Sequence, residues 1–296
     1  MANLKEIRSR ITSVSSTRQI TSAMKMVSAA KLRRAQDAIT QMRPYANKLR
    51  ELLMNLSEAA ADMEEGSYTE EREVERVLLV PITSNRGLAG AFNANIIKET
   101  RRLIAEDFAN KDVTVLAIGK KADDFFKKTD YNIKGTTLPG RLDEIFDDLT
   151  FEKVSEIAQK IMNAFTYKQF DRVELIYNQF VNAAVQKVNS EQFLPVVPPT
   201  AEEAQDEQSK SDYIFEPSKE FIIGELLPKS LKIQLYKAIL DSHASEHGAR
   251  MTAMHKATDN ATELIGDLKL VYNKARQASI TNEILEIVGG AEALNG

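Results

Sequence analysis

Residues 4–56 read LKEIRSRITSVSSTRQITSAMKMVSAAKLRRAQDAITQMRPYANKLRELLMNL, and apolar side chains recur along them at alternating steps of three and four. Sixteen positions share this register; twelve are apolar, and the four polar ones are consecutive in the middle. A 3.5-residue repeat of this length predicts a coiled-coil helix, which needs a partner helix to cover its apolar stripe. The sixteen positions are Leu4, Ile7, Ile11, Val14, Arg18, Thr21, Lys25, Ser28, Leu32, Ala35, Ile39, Met42, Ala46, Leu49, Leu53 and Leu56.

A second register of the same kind lies near the other end of the chain, over residues 240–279. Pro228 and Gly289-Gly290 are the expected start and end of its helix. Two helices of this length bury their stripes most economically against each other, so we expect a long antiparallel coiled coil. Gly248 and Gly266 lie inside the register, and each is either a point of close approach by the partner helix or a tolerated weak spot.

Between the two helices the pattern changes to that of a small Rossmann-like α/β domain. Short runs rich in Val, Ile and Leu are typical of buried parallel strands, and amphipathic stretches between them are typical of helices. The predicted order is strand Val77–Ile82, helix Ala91–Asn110, strand Val113–Ile118, helix Phe151–Tyr167, strand Arg172–Val185 and strand Val188–Val197.

The predicted domain limits follow these changes of pattern. The N-terminal coiled-coil helix is residues 1–57, the α/β domain is residues 75–199, and the C-terminal coiled-coil helix is residues 228–296. Residues 200–227 form an acidic loop and a foot segment. The first part of that segment, residues 200–212, is polar and acidic, which indicates a flexible surface loop.

Composition and charge exclude several classes of protein. The 296 residues contain no Cys, which excludes a disulfide scaffold, a thiolate metal site and a cysteine nucleophile. No apolar run is long enough for a membrane-spanning helix. The chain carries a net charge of −4, yet residues 1–57 hold 11 Lys and Arg against 3 Asp and Glu. A nucleic-acid-binding scaffold is one interpretation of that basic helix, but the overall acidity and the lack of interleaved aromatics favour an acidic protein partner.

Two stretches give weak signals of site chemistry. Thr83–Asn95 follows a strand, and Gly87 and Gly90 could direct backbone N–H groups at a phosphate. The loop matches neither the dinucleotide nor the P-loop spacing, so a free-standing α/β nucleotide-binding protein with helical arms remains the alternative function. His243 and His247 have the i, i+4 spacing of zinc ligands, but a polar layer in the coiled coil is the favoured interpretation. We predict no catalytic residue, no metal and no cofactor.

Three segments closely resemble the gamma subunit of F-type ATP synthase: residues 7–36, residues 83–93 (TSNRGLAGAFN) and residues 245–294, which include YNKARQASITNE. The resemblance covers essentially the whole chain. It implies a non-catalytic subunit and central rotary shaft, which couples ion-driven rotation of the c-ring to conformational change at the catalytic beta subunits. The implied partners are the alpha3beta3 hexamer, the epsilon subunit and the c-ring, with no nucleic acid.

The resemblance also implies particular contacts. Four residues match family positions that hydrogen-bond to the catch loops of beta: Arg276, Gln277, Thr281 and Glu283. Three match the neck that meets the acidic lever of beta: Met24, Lys25 and Arg250. Tyr213 matches the foot that contacts epsilon and the c-ring.

Two departures from the family pattern bear on where the protein works. Chloroplast members carry a cysteine pair for redox regulation, which this chain lacks. The family start at Met1 without a leader favours a bacterial protein, peripheral to the cytoplasmic face of the inner membrane.

Overall fold

The computed structural model describes residues 4–55, 68–133, 138–140, 142–196 and 219–295. The acidic loop predicted at 200–212 and the predicted foot contact Tyr213 lie outside these ranges. The chain divides into two compact units, one made of Met1–Ala29 with Arg250–Gly296 and the other of Ala30–Ala249. In chain order the elements are α1 (Leu4–Asn55), β1 (Arg76–Pro81), α2 (Phe92–Ala105), β2 (Asp112–Val115), α3 (Lys120–Phe126), a 3₁₀ turn (Glu144–Phe146), α4 (Phe151–Thr166), β3 (Arg172–Phe180), β4 (Gln186–Leu194) and α5 (Lys219–Asn295).

In the first unit α1 and α5 pair in an antiparallel arrangement. The hydroxyl oxygens of Thr21 and Thr258 are 2.8 Å apart, and Lys25 Nζ lies 3.3 Å from His255 Nδ1. Residue numbers therefore rise along one helix as they fall along the other. The predicted antiparallel coiled coil is confirmed.

The burial of side chains follows the predicted heptad register. Every described side chain at the sixteen α1 positions is buried or half-buried, and the same holds at the corresponding α5 positions from Leu240 to Ser279. Thr21 and Ser28 are buried although polar. Their hydroxyls donate to the carbonyls of Arg18 and Met24 in the preceding turn, which satisfies them inside an apolar seam.

The second unit is built on a four-stranded sheet of order β2-β1-β3-β4, in which β1 is parallel to both neighbours and β4 is antiparallel to β3. Successive β1 side chains enter different cores. Leu78 and Val80 pack with α4 and α5, whereas Val77 and Leu79 pack with α2 and α3. A strand covered on both faces must be apolar throughout, which explains its sequence. The predicted Rossmann-like α/β domain is confirmed.

α5 is longer than predicted at both ends. It begins at Lys219, inside the predicted foot segment, and it continues through Pro228 and Gly289-Gly290. Leu227 and Leu231 on either side of Pro228 are buried, so packing offsets the hydrogen bond that proline removes. The two glycines lack the left-handed φ that commonly ends a helix.

Several local elements differ from the prediction. The helix expected to end at Asn110 ends at Ala105, and the strand expected to end at Ile118 ends at Val115. The strand expected over 172–185 ends at Phe180, because Asn182 and Val185 exchange backbone hydrogen bonds in the turn that leads to β4. The short helix α3 was not predicted; it follows Gly119, whose φ of 99° turns the chain sharply after β2. None of the described helices is long and apolar enough to cross a membrane.

Candidate functional site

The loop after β1 is held by side chains that cap α3. Thr83 Oγ1 accepts a hydrogen bond from Ala122 N at 2.9 Å, and Asn85 Oδ1 accepts one from Lys120 N at 3.0 Å. These two bonds fix the loop against the first turn of α3. Gly119 lies so close to the Thr83 carbonyl that a Cβ there would collide with it.

Ser84 is fixed within the same loop and is buried. Its N–H donates to Asn93 Oδ1 at 2.9 Å, and its hydroxyl donates to Arg86 O at 2.7 Å. Gly90 has a φ of 58°, a conformation that glycine adopts at little cost. These polar groups build the turn itself, which favours a structural role for Thr83–Asn95 over phosphate binding.

His243 and His247 form a largely buried pair in the second unit. Their Nε2 atoms are 3.1 Å apart, and the Phe146 ring stacks on His243. Burial, with a smaller contribution from Lys31, lowers the pKa of His243 to about 4. Two neutral imidazoles can share one hydrogen bond, which is the polar layer that the sequence favours. In the described ranges no three His, Asp or Glu side chains cluster so as to hold a metal ion.

The last part of α5 is bare. The pairing of Lys25 with His255, continued along the two helices, brings Leu4 opposite Arg276. Residues 280–291 beyond that point are all exposed, and Leu285 and Ile287 are 63% and 71% exposed. An apolar surface of this extent indicates a binding site for another protein.

Of the four residues predicted to contact the catch loops, Arg276 and Gln277 lie just before this bare stretch, and Thr281 and Glu283 lie within it. All four are exposed. Gln277 and Thr281 stand one turn apart on one face, and the Thr281 hydroxyl donates to the Gln277 carbonyl at 2.9 Å. Arg276 and Glu283 are seven residues apart and share a neighbouring face.

The three predicted neck residues differ in exposure. Met24 and Lys25 are half-buried, whereas Arg250 is buried and 7% exposed. Lys25 Nζ and Asp259 Oδ2 each lie 3.3 Å from the same atom, His255 Nδ1. The His255 ring therefore lies between a cationic and an acidic side chain.

One set of contacts was missed by the sequence reasoning, and it joins α5 to the sheet of the second unit. Ser245 Oγ donates to Asn178 O on β3 at 2.9 Å, and Ser242 Oγ donates to Ile82 O just after β1 at 3.4 Å. The carboxyl ends of adjacent parallel strands are the common ligand crevice of open α/β sheets. Here α5 occupies that crevice.

A further contact holds α5 to β4. Gln234 Nε2 donates to Glu191 Oε1 at 2.6 Å, and Tyr177 OH donates to Glu191 Oε2 at 2.7 Å, so the carboxylate is fixed from both sides. Together with Gly248, the three α5 donors make up what we call the α5 anchor, defined as Gln234, Ser242, Ser245 and Gly248.

The two internal glycines of α5 have different surroundings. A Cβ on Gly248 would lie 3.2 Å from both Cα and O of Ala183, in the turn between β3 and β4. A Cβ on Gly266 would meet no described atom within 4 Å. Gly248 is therefore a point of close approach, although by the β3–β4 turn and not by the partner helix as predicted. The spacing of Ser242, Ser245 and Gly248, three residues apart, was the available sequence signal.

The chain matches the family model described as ATP synthase over residues 3–294. The ATP synthase gamma chain of Flavobacterium johnsoniae is 64% identical over 296 residues, with 100% of both chains covered. The chain belongs to the ATP synthase gamma-chain family. The resemblance found in the sequence is thereby confirmed, and with it the role of a central rotary shaft.

Solved structures agree with this gamma-chain assignment. The central stalk and c-ring structure of Tetrahymena thermophila mitochondrial ATP synthase contains a chain 27% identical, with a TM-score of 0.56, covering 80% of this chain and 99% of that one. The Euglena gracilis mitochondrial ATP synthase contains one 23% identical, with a TM-score of 0.66, covering 98% and 94%. The latter likeness concerns the fold alone.

Proposed function

We propose that this gamma chain turns inside an alpha3beta3 hexamer as the c-ring rotates, and that it supplies no catalytic group of its own. The loop after β1 supports this, because the side chains of Thr83, Ser84 and Asn85 are engaged in hydrogen bonds that build the turn itself. The ends of β1 and β3 support it as well, because α5 bonds to backbone carbonyls there, where open α/β sheets commonly bind a ligand. Nucleotide chemistry then belongs to beta.

The observation that carries the proposal is the bare end of α5. Residues 280–291 are exposed along their whole length, and no described residue of α1 lies opposite them. Exposed Ile and Leu side chains on an uncovered helix gain free energy when a partner covers them, at about 25 cal/mol per Å² of apolar surface. The partner proposed here is the bore of the hexamer.

Arg276, Gln277, Thr281 and Glu283 are proposed to hydrogen-bond to the catch loops of beta. All four stand exposed beside the apolar surface, so polar groups flank an apolar centre, as in protein–protein interfaces generally. Hydrogen bonds at that border would set the angle at which the shaft engages each beta subunit.

Met24, Lys25 and Arg250 are proposed to meet the acidic lever of beta at the neck. Lys25 offers a cation to carboxylates, and Met24 offers an adaptable apolar surface. Arg250 is the least accessible of the three. Met24→Lys is expected to impair coupling by adding a cation to this surface, whereas Met24→Leu keeps it apolar and is expected to preserve coupling. Equal proton pumping by both variants in membrane vesicles would remove the neck from the proposal.

The chain is proposed to act at the cytoplasmic face of the bacterial membrane, peripheral to it and held there through the complex. Tyr213 in the foot is proposed to contact epsilon and the c-ring. Cross-linking from Tyr213→Cys, in a chain that has no other cysteine, tests this contact directly. Products with epsilon or c are the expected result, and their absence in an active complex would contradict it.

The experiment for the whole proposal is co-purification of the chain with alpha, beta and epsilon, followed by ATP-driven proton pumping in vesicles. The expected result is a complex that hydrolyses ATP and pumps protons only when this chain is present. Micromolar ATP binding by the isolated chain, without assembly, would overturn the proposal in favour of the nucleotide-binding alternative.

A matched pair of threonines tests the catch-loop contact. Thr281 and Thr262 are both exposed on α5, and each hydroxyl donates to the carbonyl four residues earlier at 2.9 Å. Thr281→Val and Thr262→Val therefore make the same change in the chain itself. We expect only Thr281→Val to lower ATP hydrolysis by the complex; equal rates in the two variants would remove Thr281 from the contact.

A further inference from the structure

Apolar contacts alone hold α5 against the sheet, but they do little to prevent the helix from sliding or turning. Leu231, Leu235 and Ile239 are buried against the sheet and α4, and such contacts are strong but non-directional. A shaft has to resist sliding and turning against the domain that drives it. Groups that fix direction are therefore the ones to examine.

The α5 anchor supplies such groups at four points. Gln234 is bonded to Glu191, and Ser242 and Ser245 are bonded to backbone carbonyls of Ile82 and Asn178. The four positions extend over residues 234–248, which is about 21 Å of helix at 1.5 Å per residue. A helix held at several heights over that length resists both translation and rotation.

Gly248 adds a steric stop to these hydrogen bonds. The α5 backbone comes so near the β3–β4 turn that a Cβ would lie 3.2 Å from Ala183 Cα. Two backbone hydrogen bonds between Asn182 and Val185 hold this largely exposed turn in shape. The contact at Gly248 therefore opposes any movement of the turn toward α5.

Ser245 is the least replaceable of the bonded residues. It is fully buried, and its acceptor, Asn178, is 1% exposed and donates through its side chain to Phe92 O. If the hydroxyl is removed, the Asn178 carbonyl loses this donor where water does not reach it easily. Ser245 therefore links α5 to β3 and, through Asn178, to the start of α2.

We propose that the α5 anchor, with Ser245 and Gly248 at its centre, is the joint that passes torque between the α/β domain and the C-terminal helix. These are positioning residues that touch neither nucleotide nor ion. The proposal rests on the rotary function above. The hydrogen bonds and the one close backbone contact transmit the torque. The apolar core holds α5 against the sheet.

The test uses the assembled complex in vesicles and measures ATP hydrolysis and proton pumping separately. Ser245→Ala removes the hydroxyl, whereas Ser245→Thr keeps one. We expect the complex with Ser245→Ala to lose most of its proton pumping while it still hydrolyses ATP, and the complex with Ser245→Thr to retain pumping. A loss of both activities together would indicate a structural role and overturn the proposal, as would unchanged pumping in Ser245→Ala.

A second pair does not depend on the hydroxyl. Gly248→Val forces the β3–β4 turn away, and Gly266→Val makes the same change on the same helix where no described atom lies within 4 Å. The expected result is lower pumping per ATP hydrolysed for Gly248→Val alone, with wider angular fluctuation of the rotor in single-molecule recordings. An equal ratio of pumping to ATP hydrolysis in the two variants would overturn the proposal that the α5 anchor transmits torque.

The outcomes also separate this proposal from the function on which it rests. If the wild-type chain fails to assemble with alpha and beta, the rotary function itself fails. If the wild-type complex pumps and the Ser245 and Gly248 variants pump equally well, the rotary function stands and the joint is overturned.

Discussion

Two stretches of α5, residues 238–248 and residues 280–291, have very different surroundings. Residues 238–248 are buried except for the half-buried His243, and they are covered by the sheet, α4 and the β3–β4 turn. Residues 280–291 are exposed throughout, although five of the twelve are Ile, Leu or Val. Apolarity therefore does not tell which molecule covers a helix. Residues 238–248 of α5 are covered by their own chain, whereas residues 280–291 have an apolar surface that is available to another subunit.

The largest expected effect comes from removing the bare end. Truncation of residues 285–296 takes away most of the exposed apolar surface, so assembly or torque is expected to fall severely. The α/β domain does not depend on those residues. The circular dichroism signal of its strands and its thermal unfolding transition are therefore expected to be unchanged in the truncated chain. Loss of strand signal in the truncated chain would contradict the separation of the two ends.

A pair of leucines makes the same comparison with single substitutions. Leu235 is fully buried, and Leu235→Ala is expected to lower the free energy of unfolding by about 2–5 kcal/mol. Leu285 is exposed, and Leu285→Ala is expected to change it by less than about 0.5 kcal/mol. Urea unfolding of the isolated chain measures both. In the complex, Leu285→Ala is expected to weaken binding to beta more than Leu235→Ala does. The rate at which the chain dissociates from the complex measures this.

The stability contributed by the covered stretch of α5, residues 238–248, is also expected to depend on acid. His243 has a pKa of about 4, below the ordinary value of 6.5, chiefly because of burial and secondarily because of Lys31. The unfolded chain therefore binds this proton more tightly, so stability is full above pH 6.5 and falls as the pH drops toward 4. The loss is on the order of 3 kcal/mol. His243→Gln, which does not titrate, is expected to flatten that slope in urea titrations; an unchanged slope would contradict the assignment.

Asp241, two residues away, gives a smaller effect of opposite sense. Burial raises its pKa to about 6, against the opposing effect of Lys237 and Arg43 and with some help from Glu191. Because this lies above the ordinary value of 3.8, ionisation favours the unfolded chain. The penalty is absent below pH 4 and complete above pH 6. Asp241→Asn is expected to stabilise the chain by about 2–3 kcal/mol at pH 8 and to have no effect at pH 3.5. Equal stabilisation at both values would show that charge is not the cause.

The sequence predicted the regular parts of this molecule well. The heptad register of α1, polar middle included, coincides with the buried side of the helix, because periodicity reports directly on which face is covered. The apolar runs around Leu78 and Val113 became parallel strands for the same reason. The limits of α5 were wrong, since local signals at Pro228 and Gly289-Gly290 were outweighed by packing or by the absence of a left-handed turn.

The candidate sites were predicted less completely. Ser242 and Ser245 bond to backbone carbonyls of distant strands, and a sequence does not show which carbonyls the fold will bring within reach. The contacts proposed for Arg276, Gln277, Thr281 and Glu283 stay predictions, because their partners are other subunits. Those for Met24, Lys25, Arg250 and Tyr213 stay predictions for the same reason. The family resemblance supplied what periodicity does not, the identity of the partner.

The most direct test of the central claim is a rotation measurement on single complexes. Lys160→Cys gives an otherwise cysteine-free chain one exposed attachment point on α4 for a bead, with the alpha3beta3 hexamer fixed to a surface. We expect added ATP to turn the bead in one direction, in steps set by the three beta subunits. Sustained ATP hydrolysis by the same complexes with a stationary bead would contradict it.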